Sequence, residues 1–181
     1  MFTTSAAIAF KMILLVTAFL CNIIFGEMLV FQTVVMPGIA KLDDGEFLRA
    51  FQAIDGVIQA NEPVFVSTWI GSVLFIVVAA ICGVVWSPLV GNADGVLEES
   101  WQAIGLLVAA LAWLVCQWST LRFNIPRNNR VKALNIAGMK SGEKVVERTY
   151  FEATWNKWHL FRTVLFGMVA LYLLVLLLII N

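Results

Sequence analysis

Four stretches of this chain are apolar for longer than a soluble helix has use for, and that constrains what it can become. Residues 6–35, 64–86, 101–121 and 155–180 each reach or exceed the roughly 20 residues that carry a helix across a hydrocarbon core. Lipid offers no water to backbone N–H and C=O groups, so such a stretch must close its own hydrogen bonds as a helix. The chain is therefore predicted to be all-α: an integral membrane four-helix bundle forming a single domain over residues 1–181. An amphipathic helix is expected in the first inner loop and a long inner loop before the last helix.

Composition agrees. Hydrophobic residues make up 61% of the chain and charged residues 13%, against roughly 45 to 50% and about 25% in soluble domains. Twelve Lys plus Arg balance twelve Asp plus Glu, so no global field draws nucleic acid, and the expected environment is lipid. Cys21, Cys82 and Cys116 all lie in apolar runs without CxxC spacing and read as small fillers, not as a disulfide framework or zinc knuckle. Residues 1–10 lack a basic start and the apolar run exceeds a signal-peptide core, so the first helix is expected to stay in the mature protein.

Basic residues accumulate on the cytoplasmic side of membrane proteins. Here Lys41 and Arg49 fall between the first two spans. Arg122, Arg127, Arg130, Lys132, Lys140, Lys144, Arg148, Lys157 and Arg162 fall between the last two or at their edges. Loops 36–63 and 122–154 are therefore expected in the cytoplasm, with loop 87–100 and both termini outside. Trp86 and Trp101 fit an outer aromatic belt, and Trp69, Trp118, Trp155 and Trp158 an inner one. In the first inner loop Asp43 and Glu46 form a capping-box pattern, followed by Phe47, Phe51, Ile54 and Ile58 at helical spacing. Gly91-Asn92 and Asp94-Gly95 mark turns in the outer loop, and a helix is expected to run from Ser141 into the fourth span. No internal repeat is evident.

Ionisable residues at membrane depth usually face the bundle interior or a cavity. Glu27 lies eight residues before Val35, about 12 Å along the helix, with Asn22 and Gly26 nearby. On the fourth span Glu152, Asn156, His159 and Thr163 form one stripe flanked by Trp155 and Arg162. A Glu27–Arg162 ion pair with His159 beside it is the resulting expectation. Plainer readings stay open: Arg162 snorkelling to headgroups, His159 as an interfacial residue, Glu27 in a structural pair, and Asn124 to Arg130 as a solvated helix cap.

Val35-Met36-Pro37-Gly38 after a long apolar helix, Asn124-x-Pro126-x-Asn128 after the third span, and Trp155 followed by His159-x-x-Arg162-Thr163 in the fourth together resemble the anthrone oxygenase-like family of small membrane proteins. The likeness extends over nearly the whole chain. It implies a four-helix bundle, with Asn124, Pro126, Asn128, Trp155, His159, Arg162 and Thr163 as signature positions. It also implies oxidation of an aromatic, polyketide-type or other hydrophobic phenolic substrate by molecular oxygen, without an evident cofactor.

On that reading His159 is the first candidate for a general base and Glu27 the second, with Arg162 and the amide of Asn124 or Asn156 holding an oxyanion. Asn128 and Thr163 complete the polar lining. Trp155 and Trp158 offer flat faces to a polycyclic ring. One histidine and no thiolate cluster make a metal or haem site unattractive. Expected partners are a hydrophobic aromatic molecule, O2 and membrane lipid, with self-association open. The competing class is a non-catalytic accessory subunit or a small-molecule binding and permeation protein.

Overall fold

The computed structural model describes residues 4–87 and 100–180. The turn signals at Gly91-Asn92 and Asp94-Gly95 lie outside them. The described residues are helical without strands. In chain order they form α1 (Thr4–Val30), a π-helical turn (Phe31–Val35), α2 (Met36–Ile39), α3 (Asp44–Gln59), α4 (Pro63–Val85) and α5 (Ser100–Ser119). A second π-helical turn (Thr120–Asn124), α6 (Ile125–Lys132), a 3-10 turn (Ile136–Gly138) and α7 (Ser141–Ile179) follow. Four helical stretches are long and apolar enough to cross a membrane: Ser5–Ile39, Pro63–Val85, Ser100–Lys132 and Ser141–Ile179.

Two of the four overrun their expected inner ends for the same physical reason. Pro37 and Pro126 each lack the N–H that would bond the carbonyl four residues back, and the ring crowds that carbonyl. The chain does not stop at either proline. It widens by one residue beforehand, so that Met36 N–H bonds Phe31 O and Ile125 N–H bonds Thr120 O, and a short helix then continues past the proline. In both places the π turn ends two residues before proline. Residues 36–39 and 125–132 are thus helix where loop was expected. The long loop before the fourth span shrinks to residues 133–140, because α7 starts at Ser141 as its sequence predicts.

The chain divides into two compact units, Met1–Phe25 with Ser67–Cys116 and Leu165–Asn181, and Gly26–Val66 with Gln117–Val164. In the first, parts of α1, α4, α5 and α7 pack through close aromatic and small-residue contacts. Trp113 and Phe166 lie 4.1 Å apart between centroids, and Trp69 and Phe10 meet Phe166 and Trp86 edge-on. The few polar groups are tied inward: Thr17 Oγ1 donates to Ile13 O (2.7 Å) and Phe75 O (3.1 Å), Trp113 Nε1 to Ser72 Oγ (3.3 Å), and Tyr172 OH to Gln102 O (3.0 Å). Cys21 and Cys116 are buried fillers, as expected.

In the second unit α3 buries Phe47, Leu48 and Phe51 in a cluster with Met36, Val131, Ile136, Phe151 and Trp155. Asp43 caps α3 as predicted, its Oδ1 accepting from Glu46 N–H at 2.8 Å, although the carboxylate of Glu46 makes no return bond. The buried stripe runs through residues 47, 48, 51 and 55, so Ile54 and Ile58 are only half-buried and Asp55 takes the inward position. Two side chains clamp the ends. Arg148 donates to the carbonyls of Ala40 (2.8 Å) and Leu42 (2.9 Å) beyond α2, pairs with Asp44 and Glu152, and lies over the Phe47 ring. Gln52 Nε2 caps the end of α6 at Val131 O, Lys132 O and Leu134 O.

Gly105 gives the packing its sharpest test. A Cβ there would lie 2.1 Å from Tyr172 OH and 2.6 Å from Cζ, so Tyr172 would have to swing away and release Gln102 O. Gly105→Ala should cost about 1 to 3 kcal/mol, read as a lower thermal midpoint in detergent, and Tyr172→Leu in that background should recover part of the loss. An alanine variant as stable as the parent would contradict the packing described.

Candidate functional site

The second unit gathers most of the polar residues singled out above, and α7 supplies the centre. Trp155, His159, Arg162 and Thr163 follow at four, three and one residues, which stacks them on one face. All four are buried, His159 to 1% exposure and Arg162 to 4%. Arg162 therefore turns into the protein and does not snorkel, and His159 is enclosed by protein on all sides.

His159 is held on three sides. One ring nitrogen, Nε2, lies 3.0 Å from the Met28 carbonyl of α1, and the other, Nδ1, lies 3.1 Å from Arg162 Nη2. A carbonyl can only accept and a guanidinium can only donate. The imidazole must then be neutral, with its proton on Nε2 and its Nδ1 lone pair turned to Arg162. Its face lies against Trp155, with centroids 4.5 Å apart and planes 10° apart, and Phe31 closes its other flank at 6.1 Å.

Arg162 is fixed by its remaining arms. Nη1 donates to Thr120 Oγ1 at 2.7 Å, from the first residue of the second π turn. Asn124, the last residue of that turn, sits where its amide oxygen accepts from Arg162 Nη2 and Trp155 Nε1, each at 3.3 Å; this orientation meets the two donors that face it. Thr163 Oγ1 returns to His159 O at 2.9 Å. The π turns thus matter twice: one follows Met28, and the other delivers Thr120 and Asn124. Such turns often mark functional positions.

Trp155 Nε1 also donates to Asn128 Oδ1 at 2.8 Å, and Asn128 Nδ2 donates to Asp55 Oδ1 at 2.8 Å. Gln59 Nε2 donates to the other Asp55 oxygen. Asp55 is buried, and burial pushes its carboxyl above the usual range while the bonds from Gln59 and Asn128 and the charge of Lys132 pull it back. Neither Asp55 nor Thr120 stood out in the sequence. The signal for Asp55 was there: it follows Phe47 and Phe51 at four-residue steps, so a carboxylate occupies the stripe those rings bury.

The structure does not bring every predicted residue into this network. Glu27 makes no ion pair with Arg162: its Oε2 is buried without a hydrogen bond, and the charge acting on it is the repelling carboxylate of Glu62 at the start of α4. Glu27 still shares a helix face with Phe31, one turn on, which touches His159. Gln117 Nε2, one turn before Thr120, is likewise buried without a partner. Asn156 is half-buried and makes no hydrogen bond among the described residues. Trp158 turns aside and lies flat on Phe123, with centroids 3.7 Å apart, in a row with Trp118 and Phe161. Trp155 is not a belt residue, and its faces are taken by His159, Phe51 and Phe151. Glu152 serves Arg148. Among the described residues no three His, Cys, Asp or Glu side chains converge as a metal-ligand set.

The family model for anthrone oxygenase matches residues 64–172. No curated protein and no solved structure matches the chain. The matched segment is more than half of the chain, and the chain belongs to the anthrone oxygenase family. It holds His159, Arg162, Thr120, Asn124, Asn128 and Trp155, whereas Met28, Glu27 and Asp55 come from the residues before it.

These bonds separate two double-mutant cycles. Thr120→Val and Arg162→Met remove the two ends of one buried bond, so their stability losses should fall short of or exceed additivity by about 0.5 to 3 kcal/mol. Glu27→Gln and Arg162→Met touch no common partner and should add within about 0.5 kcal/mol. Chemical denaturation in detergent measures both, and strong coupling in the second cycle would restore the ion pair that the structure lacks.

Proposed function

We propose that this member of the anthrone oxygenase family oxidises a hydrophobic, anthrone-like aromatic substrate with O2, using Glu27 as the base. The observation that carries the reading is the Glu27 carboxylate, with a buried oxygen that accepts no hydrogen bond, on the helix face that adjoins His159. An acceptor left bare in this way costs about 1 to 3 kcal/mol, and a substrate proton offsets that cost. His159 is the weaker base in this arrangement. Its Nδ1 lone pair already takes a hydrogen from Arg162 and its Nε2 hydrogen is given to Met28.

The ring CH2 of an anthrone loses one proton to the Glu27 carboxylate and becomes an electron-rich enolate. Gln117 Nε2, buried without an acceptor, and the Asn156 amide are the donors assigned to the enolate oxygen. One electron passes from the enolate to O2, and the ring radical and superoxide combine at the former CH2 carbon. The proton held by Glu27 returns to make the hydroperoxide. Loss of the second C–H proton with cleavage of the O–O bond then gives the quinone carbonyl and water, so one O2 becomes one carbonyl oxygen and one H2O. Arg162 supplies a fixed positive charge within the same unit, anchored so that no reorganisation is needed when negative charge develops.

The orientation assigned to the protein puts residues 36–63 and 122–154 in the cytoplasm and both termini outside, supported by the crowding of Lys and Arg into those segments. A periplasmic phosphatase reporter fused after residue 181 should be active, and a fluorescent protein fused there through the general secretory route should be dark. The opposite pair of signals would invert the assignment.

Oxygen uptake by purified protein with an anthrone tests the chemistry. Glu27→Gln should lower it by roughly 10²-fold or more, the scale of a lost general base, while His159→Gln should lower stability as well as rate. Undiminished uptake in Glu27→Gln would remove Glu27 from the reaction. Thermal stabilisation by aromatic ligands with no uptake at all would favour the non-catalytic binding class.

A further inference from the structure

Asp55 lies on α3, outside the segment that matches the family and outside the spanning helices. Nevertheless the chain of contacts from its carboxylate ends on the imidazole at the centre of the site. Asp55 Oδ1 accepts from Asn128 Nδ2, and this decides which way the Asn128 amide faces, because a carboxylate accepts only from the NH2 end. With the NH2 end committed, Asn128 Oδ1 faces Trp155 Nε1 and accepts from it. The indole plane is then set by a bond at its edge and by Phe51 and Phe151 around it. His159 stacks on that plane at 10°, the tilt at which Nε2 meets Met28 O and Nδ1 meets Arg162.

We propose that Asp55 is a positioning residue for His159, acting through Asn128 and the Trp155 ring, so that α3 completes a site whose central groups lie in the matched segment. Every link is directional. A carboxylate at position 55 orients an amide, the amide orients an indole, and the indole face orients an imidazole. Gln59 holds the second Asp55 oxygen and keeps the carboxylate from turning. The purely structural role, a buried carboxylate that only ties α3 to α6, would leave the imidazole indifferent to the identity of residue 55.

The proposal rests on reading His159 and Arg162 as the site, and its test does not depend on turnover. His159 is the chain's only histidine, so labelling with imidazole-15N histidine gives one pair of ring-nitrogen signals from the full-length protein in detergent or nanodiscs. The parent should show a single tautomer with the proton on Nε2. Asp55→Leu should produce a mixture of tautomers or a second ring environment. Asn128→Asp alone sets two carboxylates against each other and should do the same or worse. The double variant Asp55→Asn with Asn128→Asp reverses the polarity of the link: the amide introduced on α3 donates to one oxygen of the carboxylate introduced on α6, whose other oxygen still accepts from Trp155. It should bring back the single Nε2 tautomer. Because the double variant is expected to fold even where a single one fails, loss of the fold in Asp55→Leu does not shield the idea. A folded Asp55→Leu with the parent's ring signals would overturn it, as would a folded double variant whose tautomers remain mixed. Parallel oxygen uptake keeps the two readings apart: restored ring signals without any uptake in parent or variants would retain the positioning role and reject the oxygenase reading.

Discussion

The structure depends on the cost of an unbonded backbone group where no water reaches. Pro63 opens α4, where no ladder bond is due, but two of the four long helices carry a proline further along, at positions 37 and 126, and each of these withholds one N–H from the ladder. The chain answers both with the same device, a π turn closed by a bond to the carbonyl five residues back. Side chains supply further satisfaction: Arg127 Nη1 donates to Phe123 O at 2.9 Å inside the second turn, and Thr33 Oγ1 to Leu29 O at 2.7 Å beside the first. A helix that widens in this way also turns its side chains out of their regular register. Thr120 and Asn124, the first and last residues of the second π turn, both reach Arg162.

His159 and Arg162 extend the same economy. A guanidinium is costly to bury unless its donors are met, and here a hydroxyl, an imidazole nitrogen and an amide oxygen take bonds from its two terminal nitrogens. The imidazole in turn is committed at both nitrogens, and its faces are covered by rings. Such a group is poorly suited to moving protons and well suited to holding a charge in place. In the proposed reaction the labour divides between this locked pair and a carboxylate, Glu27, whose buried oxygen accepts no hydrogen bond.

Much of this was legible in the sequence. The four apolar stretches, the capped amphipathic helix beginning after Asp43 and the His159–Thr163 half of the stripe on the fourth span depend on periodicity and residue type, which a sequence displays directly; of the other half, Glu152 pairs with Arg148 and Asn156 is only half-buried. The partners of that stripe were less accessible. Met28 contributes a carbonyl, which every residue possesses and no residue type announces. Thr120 is an ordinary threonine until a π turn aims it. The Glu27–Arg162 pair was inferred because two opposite charges at similar depth ought to meet, but depth fixes only one coordinate. Rotation about each helix decides the other two, and Glu27 makes no ion pair with Arg162.

Asp55 illustrates the opposite failure, a signal present and assigned to the wrong face. Reading α3 by its largest apolar residues chose Phe47, Phe51, Ile54 and Ile58, which puts the stripe's centre one residue away from where it lies. The structure prefers Phe47, Leu48, Phe51 and Asp55, and the half-burial of Ile54 and Ile58 is the consequence. A carboxylate wins an inward place over two isoleucines only because three donors or charges compensate it: Gln59, Asn128 and Lys132. None of these is near it in sequence except Gln59. The general lesson is energetic: a buried acid on an amphipathic helix reveals a polar partner on another element, and here that partner is the second asparagine of the Asn-x-Pro-x-Asn motif. The motif's asparagines are thus not a solvated cap but two ends of one device, Asn124 holding the arginine and Asn128 joining the indole to α3.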